Sequence, residues 1–501
     1  MIDLDEAMSI TWVDGDENNN QAMRSVGFYE HAEAPRVFPS LEIYTTQEVD
    51  TRCMICGVSF HISRHRTNGE HPSAAWSSHA GDDIGAYPGS QNCVQPDCTS
   101  IPRSGPGPGT SFLSPRNLDS SRSEHISGPN CRSTIAYHGS RISVEAMREC
   151  NTYQCLLLRD ESWEPEDSEL EDFESQSSHV LSGLADAFFP ERNKVRYPVM
   201  TFLSDGVPAM PFHPTCFEVF KRASIYRYGF VNVKALVSWA QERAAPSMRL
   251  PEHAAVKRAK QMQWMHHAGD EFLAANPCFI PGLQDIIDSV QNIYSPDDIC
   301  SDAAPPALSS TDMFSKFPQE IKLEILLQLD SWDIANLRLS SRAFRHLPQS
   351  LFYQLTLREL PWLYEAWTSL PLSFFVTTTA VEQRRIGQRL GEINQEISAR
   401  RSDDDGSEEN AVEIKRLVTW AAKLEERRKQ SYKTTPVRLL DRRSTNWTQL
   451  RGELARRWGE LPGLRNRRRI WNSCQEIMDR AETIPTEERD DDQGLGQWIA
   501  Y

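Results

Sequence analysis

Four residues in two widely separated pairs have the types and the spacing to bind a metal ion. Cys53 and Cys56 are separated by two residues in RCMICGVSF, and a glycine follows them directly. His213 and Cys216 have the same spacing in PFHPTCFEVF, where Pro214 predicts the first turn of a helix. A tight turn and a helix start would together offer three thiolates and one imidazole. This set predicts a closed, tetrahedral zinc site of the structural kind.

Two other interpretations of these four residues stay open. They could be buried side chains that bind no ligand, as free cysteines in a core often are. Cys53 and Cys56 could also be a redox pair of the thioredoxin type. Such a pair opens a helix after a strand, however, whereas GVSFHI after Cys56 has the alternation of a strand. Four protein ligands leave no open position, so the site predicts no catalytic zinc.

The other cysteines have weaker signals. Cys93 and Cys98 lie in a stretch of Ser, Gly, Pro and Asn, and we expect them to be unstructured. Cys131, Cys150 and Cys155 flank AYHGSRISVEAMREC, which predicts a turn followed by an amphipathic helix. We expect these three to be core thiols rather than ligands.

The composition of the chain disfavours several classes of function. Its 501 residues have a net charge of −16, which would repel nucleic acid and anionic membranes. MIDLDEAMSI is acidic where a secretory leader would be basic, and no apolar run approaches the ~20 residues of a membrane span. We therefore expect an intracellular protein, in the cytoplasm or the nucleus, with no membrane partner. Its eleven cysteines are then better read as thiols or ligands than as disulfides.

A segment after a Pro- and Ser-rich linker predicts three short helices. Pro318 suits the first turn of a helix, and Ile321, Ile325 and Leu329 recur every four residues. Leu326 widens this apolar stripe. Three short helices bury little surface by themselves, so a face this apolar indicates a partner that completes the core. The alternative is a helical hairpin inside a larger domain.

The same segment resembles an F-box, whose pattern is Leu-Pro-x-Glu-Ile followed by spaced Ile, Leu, Asp, Leu and Ser-Arg. Phe317 stands where the first leucine is usual, and the matching residues are Pro318, Glu320, Ile321, Ile325, Leu326, Leu329, Asp333, Leu337, Ser341 and Arg342. Four upstream stretches, CMICG, QCLLLRDESW, PFHPTCFEVFKR and GDEFLAANP, are similar to a family of long fungal F-box proteins.

This resemblance implies a role without covalent chemistry. An F-box binds a Skp-type adaptor and through it a cullin, and the rest of the chain selects an unidentified protein substrate for ubiquitin transfer. The residues that we expect to contact the adaptor are Phe317, Pro318, Ile321, Ile325, Leu326, Leu329 and Leu337. The sequence contains no phosphate-binding loop, dinucleotide fingerprint or hydrolase motif, so we expect no enzymatic activity. One alternative is an F-box scaffold that acts outside the ligase.

A basic block in the C-terminal region leaves a further alternative. Residues 415–475 hold 17 Lys and Arg against 5 Asp and Glu. Such charge is usually the solvated face of helices, here predicted at 411–429 and 446–461. It could also attract the acidic run at 160–174, or an acidic or phosphorylated substrate. A zinc-stabilised regulator that binds nucleic acid or chromatin would use the same block, although no reading motif supports it.

Together these features predict a mainly α protein that contains a small α+β module and a long disordered insertion. In chain order we expect a largely disordered segment (1–40), the α+β module closed by the Cys-x-x-Cys and His-x-x-Cys clip (41–60 and 131–245), the disordered insertion (61–130), a helical extension (246–298), a linker (299–312), the three-helix F-box (313–358), a helical C-terminal region (359–484) and an acidic tail (485–501).

Overall fold

The structure is a computed structural model that describes 18 stretches of the chain. These are residues 52–60, 62–71, 74–75, 95–102, 123–134, 136–158, 177–181, 184–186, 191–192, 195–196, 209–243, 253–259, 264–291, 312–373, 376, 380–402, 408–431 and 434–483. The predictions for 1–40, for the acidic run at 160–174 and for the tail at 485–501 lie outside them, as does Cys93. Within the described stretches, no helix combines the length and the apolar character needed to span a membrane.

The fold is mainly helical, as the sequence predicts. The α-helices of the described residues are α1 (Pro214–Tyr228), α2 (Val233–Arg243), α3 (Ala254–Ala259), α4 (Leu283–Gln291), α5 (Gln319–Leu327), α6 (Ser331–Ser340), α7 (Gln349–Glu359), α8 (Ala380–Ser402), α9 (Glu408–Ser431), α10 (Trp447–Arg456) and α11 (Pro462–Thr483). Short 3₁₀ turns lie at Glu271–Ala274, Met313–Lys316, Arg342–Phe344, Tyr364–Ala366 and Trp458–Glu460.

All the strands of the described residues are short, and they lie N-terminal to the helices. They are β1 (Arg64–His65), β2 (Thr99–Pro102), β3 (Ser123–Ile126), β4 (Tyr137–His138), β5 (Thr152–Leu158), β6 (His179–Leu181), β7 (Ala185–Asp186), β8 (Glu191–Arg192), β9 (Val195–Arg196) and β10 (Ala209–Phe212). The longest, β5, runs antiparallel to β10, β6 and β7, whereas β1 and β4 form a separate parallel pair. β2 pairs with β3, and β8 with β9, as antiparallel hairpins.

Helix α1 begins at Pro214, as predicted, and ends at Gly229. Pro214 occupies its first turn, where the missing backbone N–H costs no helical hydrogen bond. Gly229 ends the helix in a left-handed conformation, with φ of 81° and its N–H bonded to the carbonyl of Ile225 at 2.8 Å. The first three turns are buried, including Phe217 and Phe220. The helix start is therefore held firmly beside the end of β10.

The long helix α11 joins the N-terminal module to the C-terminal region. It packs against α1, α2 and the turn at Glu271–Ala274. One continuous cluster of buried apolar side chains runs from Cys53 to Met478 and includes Leu326 of α5. The described parts of the module, of the three short helices α5–α7 and of the C-terminal region thus share one core.

The expectation that 61–130 is disordered is wrong for the residues described there. Strand β1 pairs with β4, and the Arg64 side chain is buried. Its guanidinium pairs with Glu70 and donates to the carbonyls of Ala74 at 2.8 Å and Ile142 at 3.0 Å. These buried polar contacts hold the segment in place although it has few apolar side chains, which was the reason for predicting disorder. Deleting the whole interval would remove a buried part of the module.

Two local predictions are also corrected. Residues 144–150 form consecutive turns rather than the predicted amphipathic helix. Glu149 has a φ of 66°, which an α-helix does not allow, and its carbonyl accepts from Thr152 N–H at 3.0 Å. Cys150 and Cys155, by contrast, are buried thiols as predicted, and burial raises the pKa of both.

The helices α8 and α9 form a hairpin with a small core of its own. Its members are Ile393, Ile397, Ile414, Leu417, Ala421 and Leu424. The Trp420 side chain on α9 is 38 % exposed, and Arg389 lies over its ring at 4.4 Å. Thr435 pairs with Leu372 through two backbone hydrogen bonds, which close the base of the hairpin. In α10, Trp447, Leu450 and Leu454 are all buried inside the core.

Candidate metal centre and partner-binding helices

The four predicted metal ligands converge in the structure. One donor atom from each of Cys53, Cys56, His213 and Cys216 lies within 4.8 Å of the other three, and all four residues are buried. His213 Nδ1 is 3.5 Å from Cys56 Sγ and 3.7 Å from Cys216 Sγ. Tetrahedral bonds of ~2.0–2.3 Å would separate ligand atoms by roughly 3.5–3.8 Å. The cluster could therefore hold a metal ion.

A tight turn presents the first two thiols. Gly57 N–H donates to the Cys53 carbonyl at 2.8 Å, and its φ of 74° is one that glycine adopts without strain. Three backbone N–H groups donate to these sulfurs. Those of Cys56 and Val58 belong to the turn and donate to Cys53 Sγ and Cys56 Sγ at 3.5 Å each, and that of His213, at the start of α1, donates to Cys53 Sγ at 3.4 Å. These donors stabilise sulfur in the thiolate form that a metal requires.

The imidazole of His213 is oriented by its second nitrogen. Nε2 donates to the Cys150 carbonyl at 2.9 Å, so the neutral ring has its lone pair on Nδ1, which faces the sulfurs. The Phe60 ring packs against the imidazole with 4.6 Å between centroids. A carbonyl partner behind the ligand is the usual support of a metal-binding histidine.

The electrostatics of the cluster favour a thiolate. Burial would raise the pKa of Cys56, but hydrogen bonds from Cys216 and Cys53 and the charge of His213 lower it well below the usual value. Burial would lower the pKa of His213, but the negative charges of Cys53 and Cys56 raise it to about 10. Burial raises the pKa of Cys216, so this thiol stays protonated beside its neighbours. A divalent cation would supply the positive charge that these sulfurs need in order to ionise together.

Helix α11 supports the centre from the far end of the chain. Arg469 Nη1 donates to the Cys56 carbonyl at 2.8 Å, across 413 positions of sequence. Cys474, on the same helix, is buried, and its pKa is raised by burial and by the charges of Cys53 and Cys56. Cys474 therefore adds a neutral thiol beside the centre rather than a further charge.

The second candidate site is the outer face of α5–α7. On the inner face Leu326, Ile334, Phe344 and Leu351 are buried against the core. On the outer face Ile321 is 47 % exposed, although isoleucine is among the residues most often found in cores. A small helical unit that buries one face and leaves large apolar side chains on the other is suited to bind a partner.

The predicted adaptor contacts differ in how accessible they are. Phe317, Pro318 and Ile321 are exposed, while Ile325, Leu329 and Leu337 are half-buried. Leu326 is 2 % exposed, so its assignment to the contact face is corrected: it packs in the core of the chain itself. One position after Ile325, it points about 100° away around the helix.

Two exposed apolar residues on α6 were missed by the sequence reasoning. Trp332 is 52 % exposed and Leu339 is 79 % exposed. Tryptophan in a short helix that cannot bury it internally was the available signal. Both residues add exposed apolar area to α6.

Polar contacts fix α5–α7 to the rest of the molecule. The Glu359 carboxylate accepts from Ser331 Oγ and from Arg451 Nη2, both at 2.6 Å. Gln349 Oε1 accepts from Trp447 N–H at 2.9 Å. These contacts join the first turn of α6 and the start of α7 to α10, so the outer face is presented on a rigid support.

A second group of potential metal ligands contradicts the expectation for Cys98 and includes Cys131, which is buried as predicted. Cys98, His125 and Cys131 have donor atoms within 4.8 Å of one another. Cys98 is thus in an ordered turn, and Cys131 is a potential ligand rather than only a core thiol. The spacing of His125 and Cys131 in HISGPNC is a ligand-like signal that was available in the sequence.

Part of the chain matches a known protein family. The F-box domain family matches residues 314–352, which include α5, α6 and the first four residues of α7. Neither the curated proteins nor the solved structures contain a match to the chain. The match falls on the helices whose outer face is apolar and exposed.

Proposed function

We propose that this chain, whose residues 314–352 match the F-box domain family, is the non-catalytic substrate-recognition subunit of a Skp–cullin–F-box ubiquitin ligase. F-box domains typically bind Skp-type adaptors, which link them to a cullin. The observation that best supports this role is the exposed apolar surface of α5 and α6 within the matched residues. The substrate would be an unidentified protein bound by the rest of the chain.

The energetics of this surface favour a protein partner. Burying one isoleucine side chain contributes about 1.5–3 kcal/mol, so a few such residues supply much of a specific interface. Because Glu359 and Gln349 already fix the helices to α10, little ordering entropy remains to oppose docking.

Replacing Ile321 with Asp tests the adaptor interaction. Burying an unpaired carboxylate costs several kcal/mol, so co-purification of a co-expressed Skp-type adaptor should fall at least tenfold. Ile325→Asp should have the same direction of effect, but this half-buried residue also supports the helix, which makes Ile321→Asp the cleaner variant.

The matched control is Val412→Asp, the same chemical change at a 64 % exposed position on α9. This variant should retain the adaptor. Equal retention by Ile321→Asp and Val412→Asp would refute the docking face, and failure of the unmodified chain to bind any Skp-type adaptor would refute the proposed role.

Two alternatives remain distinguishable by experiment. An F-box scaffold outside the ligase would bind the adaptor without co-purifying a cullin. A regulator that binds nucleic acid would use the basic block, but Arg451, Arg467 and Arg469 of this block are buried in intramolecular contacts. Less positive charge is therefore available on the surface than the sequence suggests, which disfavours nucleic acid as a partner.

We further propose that the Cys53 centre holds structural zinc and that the protein acts inside the cell, in the cytoplasm or the nucleus. Three thiolates and one imidazole are the ligand set of closed zinc sites. Thiols that must bind a metal are kept reduced in these compartments. The zinc would hold the turn at Cys53 against the start of α1 and supply no chemistry.

A further inference from the structure

The group formed by Cys98, His125 and Cys131 is separate from the Cys53 centre and is built on other elements. Cys98 directly precedes β2, His125 lies in β3 and Cys131 follows β3. The donor atoms of the three residues lie within 4.8 Å of one another, and His125 Nε2 is 3.4 Å from Cys131 Sγ. His125 and Cys131 are buried, and Cys98 is half-buried.

The strand pairing brings these residues together. In the antiparallel hairpin, Thr99 pairs with Ile126 and Ser100 with His125. The residue before β2 therefore lies opposite the residues that follow β3. This register is fixed by backbone hydrogen bonds, so the convergence of the three side chains follows from the fold of the hairpin rather than from a chance surface approach.

The turn around the group has the hydrogen bonds of a thiolate site. Gly128 N–H donates to Cys98 Sγ at 3.4 Å, as backbone N–H groups do at the Cys53 centre. Asn130 N–H donates to Asp97 Oδ2 at 2.8 Å. A Cβ atom at position 128 would lie 2.4 Å from the Asp97 carbonyl oxygen, so the close approach requires glycine.

The ligand types indicate which ion would bind. Two thiolates and one imidazole select zinc over magnesium or calcium, which prefer oxygen ligands. Three protein ligands are enough for zinc and leave a fourth tetrahedral position. Oδ1 of the adjacent Asp97 is buried and has no hydrogen-bond partner among the described residues.

The group also lies against the rest of the module. The rings of His65 and His125 are 4.6 Å apart, and Ser127 N–H donates to the Arg66 carbonyl at 2.9 Å. We propose that Cys98, His125 and Cys131 form a second zinc site, which ties the start of β2 to β3 and to the turn that follows β3.

Elemental analysis of the purified full-length chain tests this proposal. Cys98→Ser should contain about one zinc fewer per chain than the unmodified protein, because two protein ligands no longer hold the ion. His125→Cys replaces the imidazole with a thiolate and should keep the zinc. Cys155→Ala removes a buried thiol from β5, outside both groups, and should also keep it.

Cobalt provides a second measurement. Total zinc per chain adds the contributions of both centres, whereas the absorption of bound Co²⁺ reports directly on its thiolate ligands. Chain produced with Co²⁺ in place of zinc should lose part of its thiolate-to-cobalt absorption in Cys98→Ser, with the remainder coming from the Cys53 centre. Unchanged metal content and unchanged absorption in Cys98→Ser would overturn the proposal. So would an equal loss of zinc in Cys155→Ala. Adaptor binding should be unaffected in every variant, which separates this test from that of the proposed function.

Discussion

At the residue scale, the Cys53 centre depends on where the imidazole of His213 points. The Cys150 carbonyl holds Nε2, and Nδ1 is then the only nitrogen left to face the sulfurs. A ligand held this way is arranged before the metal arrives, which reduces the entropy cost of binding. Cys150 thus takes part through its backbone, although its own thiol is an inert core group.

Loss of one ligand should remove the metal and loosen the module. In Cys216→Ser we expect loss of about one zinc per chain and a destabilisation of several kcal/mol, because metal affinity contributes directly to folding. Zinc content and urea unfolding measure these two effects. Cys278→Ser, another buried thiol close to α1, should keep its zinc. A Cys216→Ser chain with full metal content and unchanged stability would refute the clip.

Glu271 predicts a pH dependence of stability. Burial would raise its pKa, but His266, the backbone and Arg141 outweigh burial and lower it to about 2, below the ordinary 4.5. A lowered pKa stabilises the folded state above pH ~4.5, and this stabilisation is lost as pH falls through about 2. The decrease in the free energy of unfolding caused by Glu271→Gln should therefore be complete at pH 7 and smaller at pH 3.

Urea unfolding of Glu271→Gln and the unmodified chain at the two pH values measures this difference. The exposed Glu460 provides the control, since Glu460→Gln should change stability little at either pH. An effect of Glu271→Gln that is the same at pH 7 and pH 3 would contradict the assigned role of the carboxylate.

At the element scale, the α8–α9 hairpin has its own apolar core and a closed base. Leu372 and Thr435 exchange backbone hydrogen bonds at 2.8 and 3.0 Å, so the chain enters and leaves the hairpin at neighbouring points. Residues 377–433 could then be replaced by a short turn without separating the flanking segments. The side chains of the hairpin core belong to a cluster distinct from the main core.

We expect the chain with this replacement to fold and to bind the Skp-type adaptor as well as the full chain does. Circular dichroism and co-purification check the two properties. Loss of adaptor binding together with an intact fold would show that the hairpin belongs to the docking surface. Substrate capture is the property that we expect to change, because the hairpin presents Val412, Val418 and Trp420 to solvent.

Elements with local signals could be predicted from the sequence. Pro214 and Gly229 bracket α1, and the ligand spacings identified the Cys53 centre, because turns and helix ends depend on neighbouring residues. The β1–β4 pair could not be predicted in this way. The pair is supported by the contact of Arg64 with Ile142, 78 positions away. A pattern of neighbouring residues does not predict which distant residue will be the partner.

At the scale of the whole molecule, Arg467 joins three segments of the chain. Its buried guanidinium pairs with both oxygens of Glu365 at 3.0 and 2.9 Å. It also donates to the Pro277 carbonyl at 2.6 Å and to Tyr364 Oη at 3.0 Å. Arg467 therefore connects helix α11 to the segment after the F-box and to the loop before α4. From the sequence, this arginine belonged to a basic block whose charge is usually the solvated face of helices.

Replacing Arg467 with Met should destabilise the molecule by roughly 3–5 kcal/mol, because it leaves the Glu365 carboxylate buried without its partner. Chemical denaturation measures the loss. Arg443→Met, at an exposed position in the same basic block, should cost less than about 0.5 kcal/mol. If Arg467→Met and Arg443→Met lose equal stability, the buried Arg467–Glu365 pair does not hold these segments together.

The contact between Arg469 and the Cys56 carbonyl has a consequence for biosynthesis. The cysteine turn leaves the ribosome 413 residues before the arginine that supports it. At ordinary rates of translation this delay is about 20–80 s. During that interval the turn, α1 and α2 wait with their α11-facing surfaces uncovered. A truncation that ends before α11 should therefore leave these surfaces uncovered and yield a product that is degraded.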